Sequence, residues 1–196
     1  MNRLITLLLS ICLLSACANM TFKGMYEMAT FDLFALEPAQ LSIAVRTDKA
    51  LEIEQGNVVI NLSFVSDDET LYIQEKLLPS VTQTRAISGA LANGLEPHEQ
   101  ITLFNLTAED ANTMKESLMQ AKDYKDNGRK GTGAFGISIE NVCFEEERLL
   151  DADIDILVQK STADDFFMFL ENLNLRELTN TKPENKEAMD KLFCNP

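Results

Sequence analysis

Apolar residues at every second position are the sequence feature that most restricts what this chain can fold into. Leu41, Ile43 and Val45 are separated by smaller or polar residues, and residues 58–64 repeat this period after a Gly-Asn turn signal. Because successive side chains of a β-strand point to opposite faces, a period of two predicts a strand with one buried face. The sequence therefore predicts several half-buried strands.

Seven strands follow from this pattern and from short apolar runs bounded by turn residues. Two helices are predicted beside them: one near 107–125, where Thr107 and Asp110 form a capping box, and one near 182–193. Strands and helices do not alternate regularly, so the expected fold is mainly β (α+β), an antiparallel sandwich or a two-layer sheet. The predicted strands lie near residues 41–46, 58–64, 71–73, 101–106, 135–139, 154–158 and 166–170.

The balance of charges narrows the class of binding partner. The 196 residues contain 31 Asp and Glu against 17 Lys and Arg, a formal net charge of −14 at pH 7. A surface this acidic repels nucleic-acid phosphates and anionic lipid headgroups, and the sequence has no basic stripe to offset this repulsion. We expect no nucleic-acid partner, and attachment to a membrane has to come from lipid.

The first 16 residues have the three-part pattern of an export signal. Arg3 is the only charged residue among them, residues 4–14 are almost continuously apolar, and the small residues Ser15 and Ala16 follow. An apolar run of this length is too short to cross a bilayer of roughly 30 Å as a helix. Residues 1–16 are therefore predicted to be a cleaved signal peptide.

Leu14-Ser15-Ala16-Cys17 resembles the lipobox of bacterial lipoproteins. The resemblance implies a diacylglycerol on the Cys17 thiol, cleavage before Cys17, and acylation of the new amino terminus, typically with palmitate. Several acyl chains give stable anchoring, whereas one chain binds a membrane only marginally. Ala18 resembles the sorting residue of outer-membrane lipoproteins, which implies an anchor in the outer membrane with the domain facing the periplasm. Residues 17–22 would be a lipidated tether, and residues 23–196 a single β-rich globular domain.

Cysteine usage is consistent with export. Cys12 lies within the apolar run of the leader and is interpreted as a small hydrophobic residue. With Cys17 lipidated, Cys143 and Cys194 are left, and an oxidising compartment favours a disulfide between such a pair. The alternative is two unpaired buried thiols.

No residue pattern organised for catalysis stands out. His98 is the only histidine and lies in a loop beside a proline, and no G-x-S-x-G sequence presents a serine nucleophile. Residues 131–136 match G-x-G-x-x-G, but they follow a predicted helix and precede a predicted strand, the reverse of a dinucleotide-binding turn. We expect residues 128–136 to be a helix stop and flexible turn, and we predict no catalytic residue and no cofactor.

Asp151, Asp153 and Asp155 are the weak candidates for a metal site. An extended chain places these three alternating carboxylates on one face, where hard oxygen ligands suit calcium. The EF-hand pattern fails, because Ile156 stands where glycine is needed and Thr162 where the bidentate glutamate belongs. The other interpretation is a solvated sheet face kept charged against edge pairing. A carboxylate-dependent envelope hydrolase is a third possibility, although no pair of acids is singled out.

The lipobox resemblance indicates a membrane anchor, and the sequence has no organised catalytic motif. Together these features predict that the protein acts by binding another protein. We expect a non-enzymatic accessory lipoprotein that binds another envelope protein and reaches the membrane through its lipid. The mature part resembles only uncharacterised lipoproteins of Gram-negative bacteria. No binding residue is implied by that resemblance.

Overall fold

Antiparallel strands are the commonest regular element of the computed structural model, which describes residues 24, 26, 27, 31–82, 91, 92, 94–142 and 152–174. Eight strands and one α-helix, α1 (Ala108–Asp126), occur in these residues. The strands are β1 (Ser42–Asp48), β2 (Val58–Ser66), β3 (Tyr72–Leu77), β4 (Ser80–Thr82), β5 (Glu99–Asn105), β6 (Gly131–Ile139), β7 (Asp153–Gln159) and β8 (Phe167–Asn174).

The strands form two sheets. The large sheet has five strands in the order β4-β5-β1-β7-β8, and the small sheet has three in the order β3-β2-β6. Every neighbouring pair is antiparallel. The prediction of a mainly β, sandwich-like fold is confirmed, and β4 is an eighth strand that the sequence pattern did not reveal.

The main core lies between the inner faces of the two sheets. Alternate residues of β1 and β2, such as Ile43 and Ile60, are at most 1% exposed and belong to one apolar cluster. Met114 and Leu118 of α1 join the same cluster, so the helix closes one end of the sandwich. Burial of apolar area on this scale is the main stabilising contribution to such a fold.

The large sheet is also covered on its outer face, which the sequence did not predict. Ala44 is fully buried, although it alternates with the core residues of β1, and it packs with Leu91 and Leu157. A second apolar layer, which includes the partly buried Leu95, therefore lies across this face. The prediction that β1 is only half-buried is wrong, because Leu91 and Leu95 pack over its outer face.

Helix α1 begins and ends where its sequence signals predict. The Thr107 side chain accepts a hydrogen bond from the Asp110 backbone N–H at 3.0 Å, satisfying a donor in the first turn. Gly128 follows the helix with a φ of +77°, a conformation that glycine adopts without strain. The predicted helix near 107–125 is confirmed, whereas the helix near 182–193 falls outside the described residues.

Residues 131–134 are strand, and the predicted flexible turn over 128–136 is wrong from Gly131 onward. Strand β6 pairs with β2 without interruption, from Gly131 opposite Ser66 to Ile139 opposite Val58. This regular pairing overrides the low strand propensity of glycine. Strand β6 ends at Ile139, and Asn141 beyond it has a φ of +56°.

Two glycines of β6 provide a matched test of this register. A Cβ on Gly131 would lie 2.5 Å from Phe64 Cζ and 2.7 Å from the Val65 carbonyl oxygen, whereas one on Gly136 would meet nothing within 4 Å. We expect Gly131→Ala to lower the free energy of unfolding by about 1–3 kcal/mol because it overpacks the pair of strands. Gly136→Ala should leave stability unchanged or raise it by up to about 1 kcal/mol. Urea unfolding measures both changes, and equal effects would contradict the register.

Candidate functional site

An ion pair on the outer face of the large sheet engages one of the predicted metal candidates. Arg46 of β1 lies opposite Asp155 of β7 and donates from Nε to Asp155 Oδ2 at 2.8 Å, with a second bond from Nη2. The side chains are 15% and 6% exposed. Glu99 Oε1 lies 3.9 Å from Arg46 Nε on the other side. A carboxylate this buried is stable only when paired and hydrogen-bonded.

The other carboxylate oxygen of Asp155 holds an irregularity in β8. Its Oδ1 accepts a hydrogen bond from the Asn172 backbone N–H at 2.7 Å, where Asn172 has a φ of +54°. The register between β7 and β8 shifts at this point. Both oxygens of Asp155 therefore stabilise the sheet, and the cluster acts as a structural bridge across three strands.

The three aspartates of the proposed calcium face are in different situations. Asp155 is buried in the ion pair, Asp153 at the start of β7 is exposed, and Asp151 lies outside the described residues. Strand β7 is flanked by β1 and β8, so its charges do not guard a free edge. No group of three or more His, Cys, Asp and Glu in the described part of the chain is arranged to hold a metal ion.

His98 is placed in a turn, as its flanking proline predicts. Its side chain is 60% exposed, its Nδ1 lies 3.5 Å from Glu96, and its backbone carbonyl accepts a bond from the Lys49 N–H. No nucleophile is paired with it among the described residues. The cysteines predicted to carry lipid or a disulfide, Cys17, Cys143 and Cys194, all lie outside those residues.

A second polar cluster, which sequence reasoning missed, joins the turn after β2 to the end of α1. Asp68 Oδ1 accepts hydrogen bonds from the Tyr124 hydroxyl, from Thr70 Oγ1 at 2.7 Å and from the Thr70 N–H at 3.1 Å. The two bonds from Thr70 are a local turn motif that the sequence could have signalled. Tyr124 is 56 residues away from Asp68, so only the folded chain brings it there.

Hydrogen bonding determines the ionisation of this cluster. The bond from the Tyr124 hydroxyl, followed by those from Thr70, holds the pKa of Asp68 well below its ordinary value of 3.8. The Arg129 guanidinium lies 5.0 Å from the Tyr124 ring centroid. An open groove beside it is lined by Gln120, Asn127 and neighbouring residues. The cluster fastens the helix end to the small sheet.

Replacing Asp68 tests that role through pH. A depressed pKa in the folded state contributes stability above the ordinary pKa, and this contribution is lost as pH falls toward the folded value. We expect the stability of Asp68→Asn to fall less steeply between about pH 5 and 2 than that of the unchanged protein. Asp67→Asn is the control, because the Asp67 side chain makes no hydrogen bond to a described residue. Identical pH profiles for all three proteins, measured by thermal unfolding, would refute the assignment.

The small sheet has an open side that is the strongest candidate for a binding surface. Its outer face carries Tyr72 and Val65, cross-strand neighbours that are 66% and 43% exposed. The next positions on this face are Ser63, Gln74 and Ala134. Val59, at the far end of the same row, is fully buried. We call the exposed part, residues 63, 65, 72, 74, 132 and 134, the outer face of the small sheet.

One edge of this sheet lacks the features that normally prevent pairing. Strand β6 has nine residues, contains neither charge nor proline, pairs regularly with β2, and has no second partner strand among the residues described. Its sequence is GTGAFGISI. Unpaired backbone donors and acceptors along such an edge are a template for another strand. We refer to this row of backbone groups as the β6 edge.

The other edge strands are protected. Strand β4 has three residues, and the Gln55 side chain accepts a hydrogen bond from its Val81 N–H. Strand β8 contains Glu171, and its register with β7 is irregular. Strand β3 contains Glu75 and Lys76, and it contacts α1. Short length, charge and bulges are the devices by which proteins prevent edge pairing. The β6 edge is therefore exceptional within the described fold.

Comparison with known protein families, curated proteins and solved structures finds no match to this chain. In the residues that the structure describes, no helix combines the length and apolar character needed to span a bilayer.

Proposed function

We propose that this protein is a lipid-anchored lipoprotein of the bacterial envelope that acts without catalysis, by binding another envelope protein. The open side of the small sheet is the observation that carries the proposal. Tyr72 and Val65 lie side by side there with large exposed fractions, next to an uncharged edge strand. Exposed aromatic side chains are enriched in protein interfaces.

The leader supports the location of this function. Arg3, the apolar run and the Leu14-Ser15-Ala16-Cys17 sequence resemble a lipoprotein signal, which implies lipid on Cys17 and the removal of residues 1–16. Ala18 favours the outer membrane, with the domain in the periplasm. A disulfide between Cys143 and Cys194 fits the same oxidising compartment.

The state of the acidic side chains favours binding over hydrolysis. Asp155 is engaged by Arg46 and by a backbone N–H, and Asp68 is engaged by Tyr124 and Thr70. A general acid or base needs a proton-accepting atom directed at a substrate. Both of these carboxylates are directed at the fold itself, so the geometry gives the hydrolase alternative no support.

Site-specific photocrosslinking in living cells tests the proposal. A photoreactive residue in place of Tyr72 should give a covalent product with a second envelope protein in the membrane fraction. The control carries the same residue in place of Met119, which is 56% exposed on α1 and is not part of the outer face of the small sheet. Absence of a product at position 72, or equal products at both positions, would argue against a binding surface on the small sheet.

A further inference from the structure

We propose that the β6 edge pairs with the β6 edge of a second copy of this chain, antiparallel and with Phe135 opposite Phe135. The pairing would join two small sheets into one continuous six-stranded sheet. This inference stands on the edge geometry and does not require the lipid anchor. A two-fold axis makes such an interface self-complementary, since each copy contributes the same strand.

The inner row of β6 has large residues where its other half has glycines. In the two-fold register, Gly131 of one copy lies opposite Ile139 of the second, and Gly133 lies opposite Ile137. Phe135, which is half-buried against the main core, meets its own equivalent on the axis. Opposed side chains in an antiparallel pair have Cβ atoms about 5 Å apart. Gly131 and Gly133 contribute no side chain to this row, but the Phe64 ring of the same copy already lies over Gly131, so the apolar contact across the axis comes from the central phenylalanine pair.

The outer row consists of small residues throughout. Thr132 lies opposite Ser138 of the second copy, and Ala134 opposite Gly136. Within one copy Gly136 has no steric reason to be glycine, because its φ is not positive and a Cβ there would meet nothing within 4 Å. Glycine inside a strand often marks close approach by another backbone. An approaching second β6 strand gives Gly136 such a role.

Opposite charges flank the strand at its two ends. Lys130 precedes β6, is exposed, and forms no salt bridge with any residue that the structure describes. Glu140 follows β6 and accepts a bond from Lys76 at 2.7 Å, which lowers the pKa of Glu140. The same register places Lys130 opposite Glu140 of the second copy, twice by symmetry. Sliding the strands by two residues in either direction removes this pairing, so charge selects the register with Phe135 on the axis.

A second copy is favoured over a foreign strand because β6 complements itself in size and in charge. The chain is strongly acidic as a whole, but β6 itself has no charged residue, so two copies meet without opposed acids along the strand. The joined sheet would bring two outer faces of the small sheet side by side. A dimer would thus present a wider surface than either chain alone.

Cysteine crosslinking tests both the dimer and its register. Ala134→Cys and Gly136→Cys chains, made in the same cells with tags of different size, should form a disulfide between the two variants on mild oxidation before lysis. Directly opposed residues have Cα atoms within the range that a disulfide spans, whereas diagonal neighbours lie beyond it. Each variant expressed alone should crosslink at least tenfold less. Crosslinks in the Ala134→Cys or Gly136→Cys chains alone would overturn the register, and no crosslink in any combination would overturn the dimer.

Charge substitutions separate edge pairing from general repulsion. Ala134→Asp with Gly136→Asp places two pairs of carboxylates opposite each other in the dimer, and we expect native mass spectrometry of the full chain to show monomer. The control, Ser63→Asp with Val65→Asp, adds the same charge to the same face one strand inward and should remain dimeric.

Lys130→Glu should weaken dimerisation about three- to tenfold, and adding Glu140→Lys should restore it. The proposal would be contradicted if the unchanged protein were monomeric at about 100 μM and at the 100-fold dilutions below it. It would also be contradicted if Glu140→Lys did not restore the dimer that Lys130→Glu weakens.

Discussion

Replacing Arg46 with alanine is expected to lower the free energy of unfolding by about 3–5 kcal/mol, a large share of the 5–15 kcal/mol typical of a domain. The cause is the carboxylate left behind. Asp155 is 4% exposed and would lose its only ionic partner among the described residues, keeping one bond from the Asn172 N–H. An unpaired charge at such a site is far more costly than the loss of an exposed ion pair.

Three further variants make the Arg46 result specific. Lys115→Ala breaks an ion pair with Glu37 in which both side chains are about half exposed, and it should cost no more than about 1 kcal/mol. Asp155→Asn alone leaves Arg46 with only the longer contact to Glu99 and should destabilise the protein. The double change Arg46→Met and Asp155→Leu removes both charges and should recover much of the loss. Equal effects of Arg46→Ala and Lys115→Ala in urea unfolding would mean that the buried pair has no special role.

Changing Cys17 to serine is expected to remove the lipid mass completely and to leave residues 1–16 attached to the chain. A serine hydroxyl does not take the thioether-linked lipid that the lipobox resemblance implies. The acidic domain is repelled by anionic headgroups, so no electrostatic attraction replaces the lipid. The unchanged chain should remain with the membrane through high-salt washing, since lipid anchoring does not depend on screened charge. Fractionation and intact-mass measurement give the result.

Cys12→Ser is the matched control for the anchor. It makes the same chemical change five positions earlier, inside the apolar run of the leader, and should leave both the lipid mass and the membrane fraction unchanged. An unmodified Cys17 or a retained leader in the native protein would remove the basis for the proposed location. The β6 dimer would be untouched by that outcome, because it depends on a different part of the chain.

Strands with a clear period of two were predicted well from sequence. Residues 58–64 and 154–158 fall inside β2 and β7, and α1 starts directly after its predicted Thr107 cap. These elements are signalled by residues close together in the sequence: the strands by alternating apolar residues and the helix by its capping side chain. Strand β4 was missed because three residues, Ser80–Thr82, carry no detectable period.

The candidate sites depend on contacts between residues far apart in the sequence, so sequence patterns revealed little of them. Arg46 and Asp155 are 109 residues apart, and Asp68 and Tyr124 are 56 apart. Asp155 was predicted as part of an acidic face because its sequence neighbours are acidic, whereas its cross-strand neighbour Arg46 decides its charge environment. The β6 edge was missed for a related reason, since glycine-rich sequence predicts a turn until pairing with β2 makes it a strand.

Sequence alone determined the period of the strands, the acidic charge, the helix cap and the lipobox resemblance, because each depends on residues close together along the chain. Tertiary structure alone decided which strands are neighbours, which carboxylates are paired, and which edge has no partner strand among the described residues. Those properties depend on the register between distant segments, and a shift of one residue would turn every side chain of a strand to the opposite face. That dependence is why the core was foreseeable and the proposed interaction surface was not.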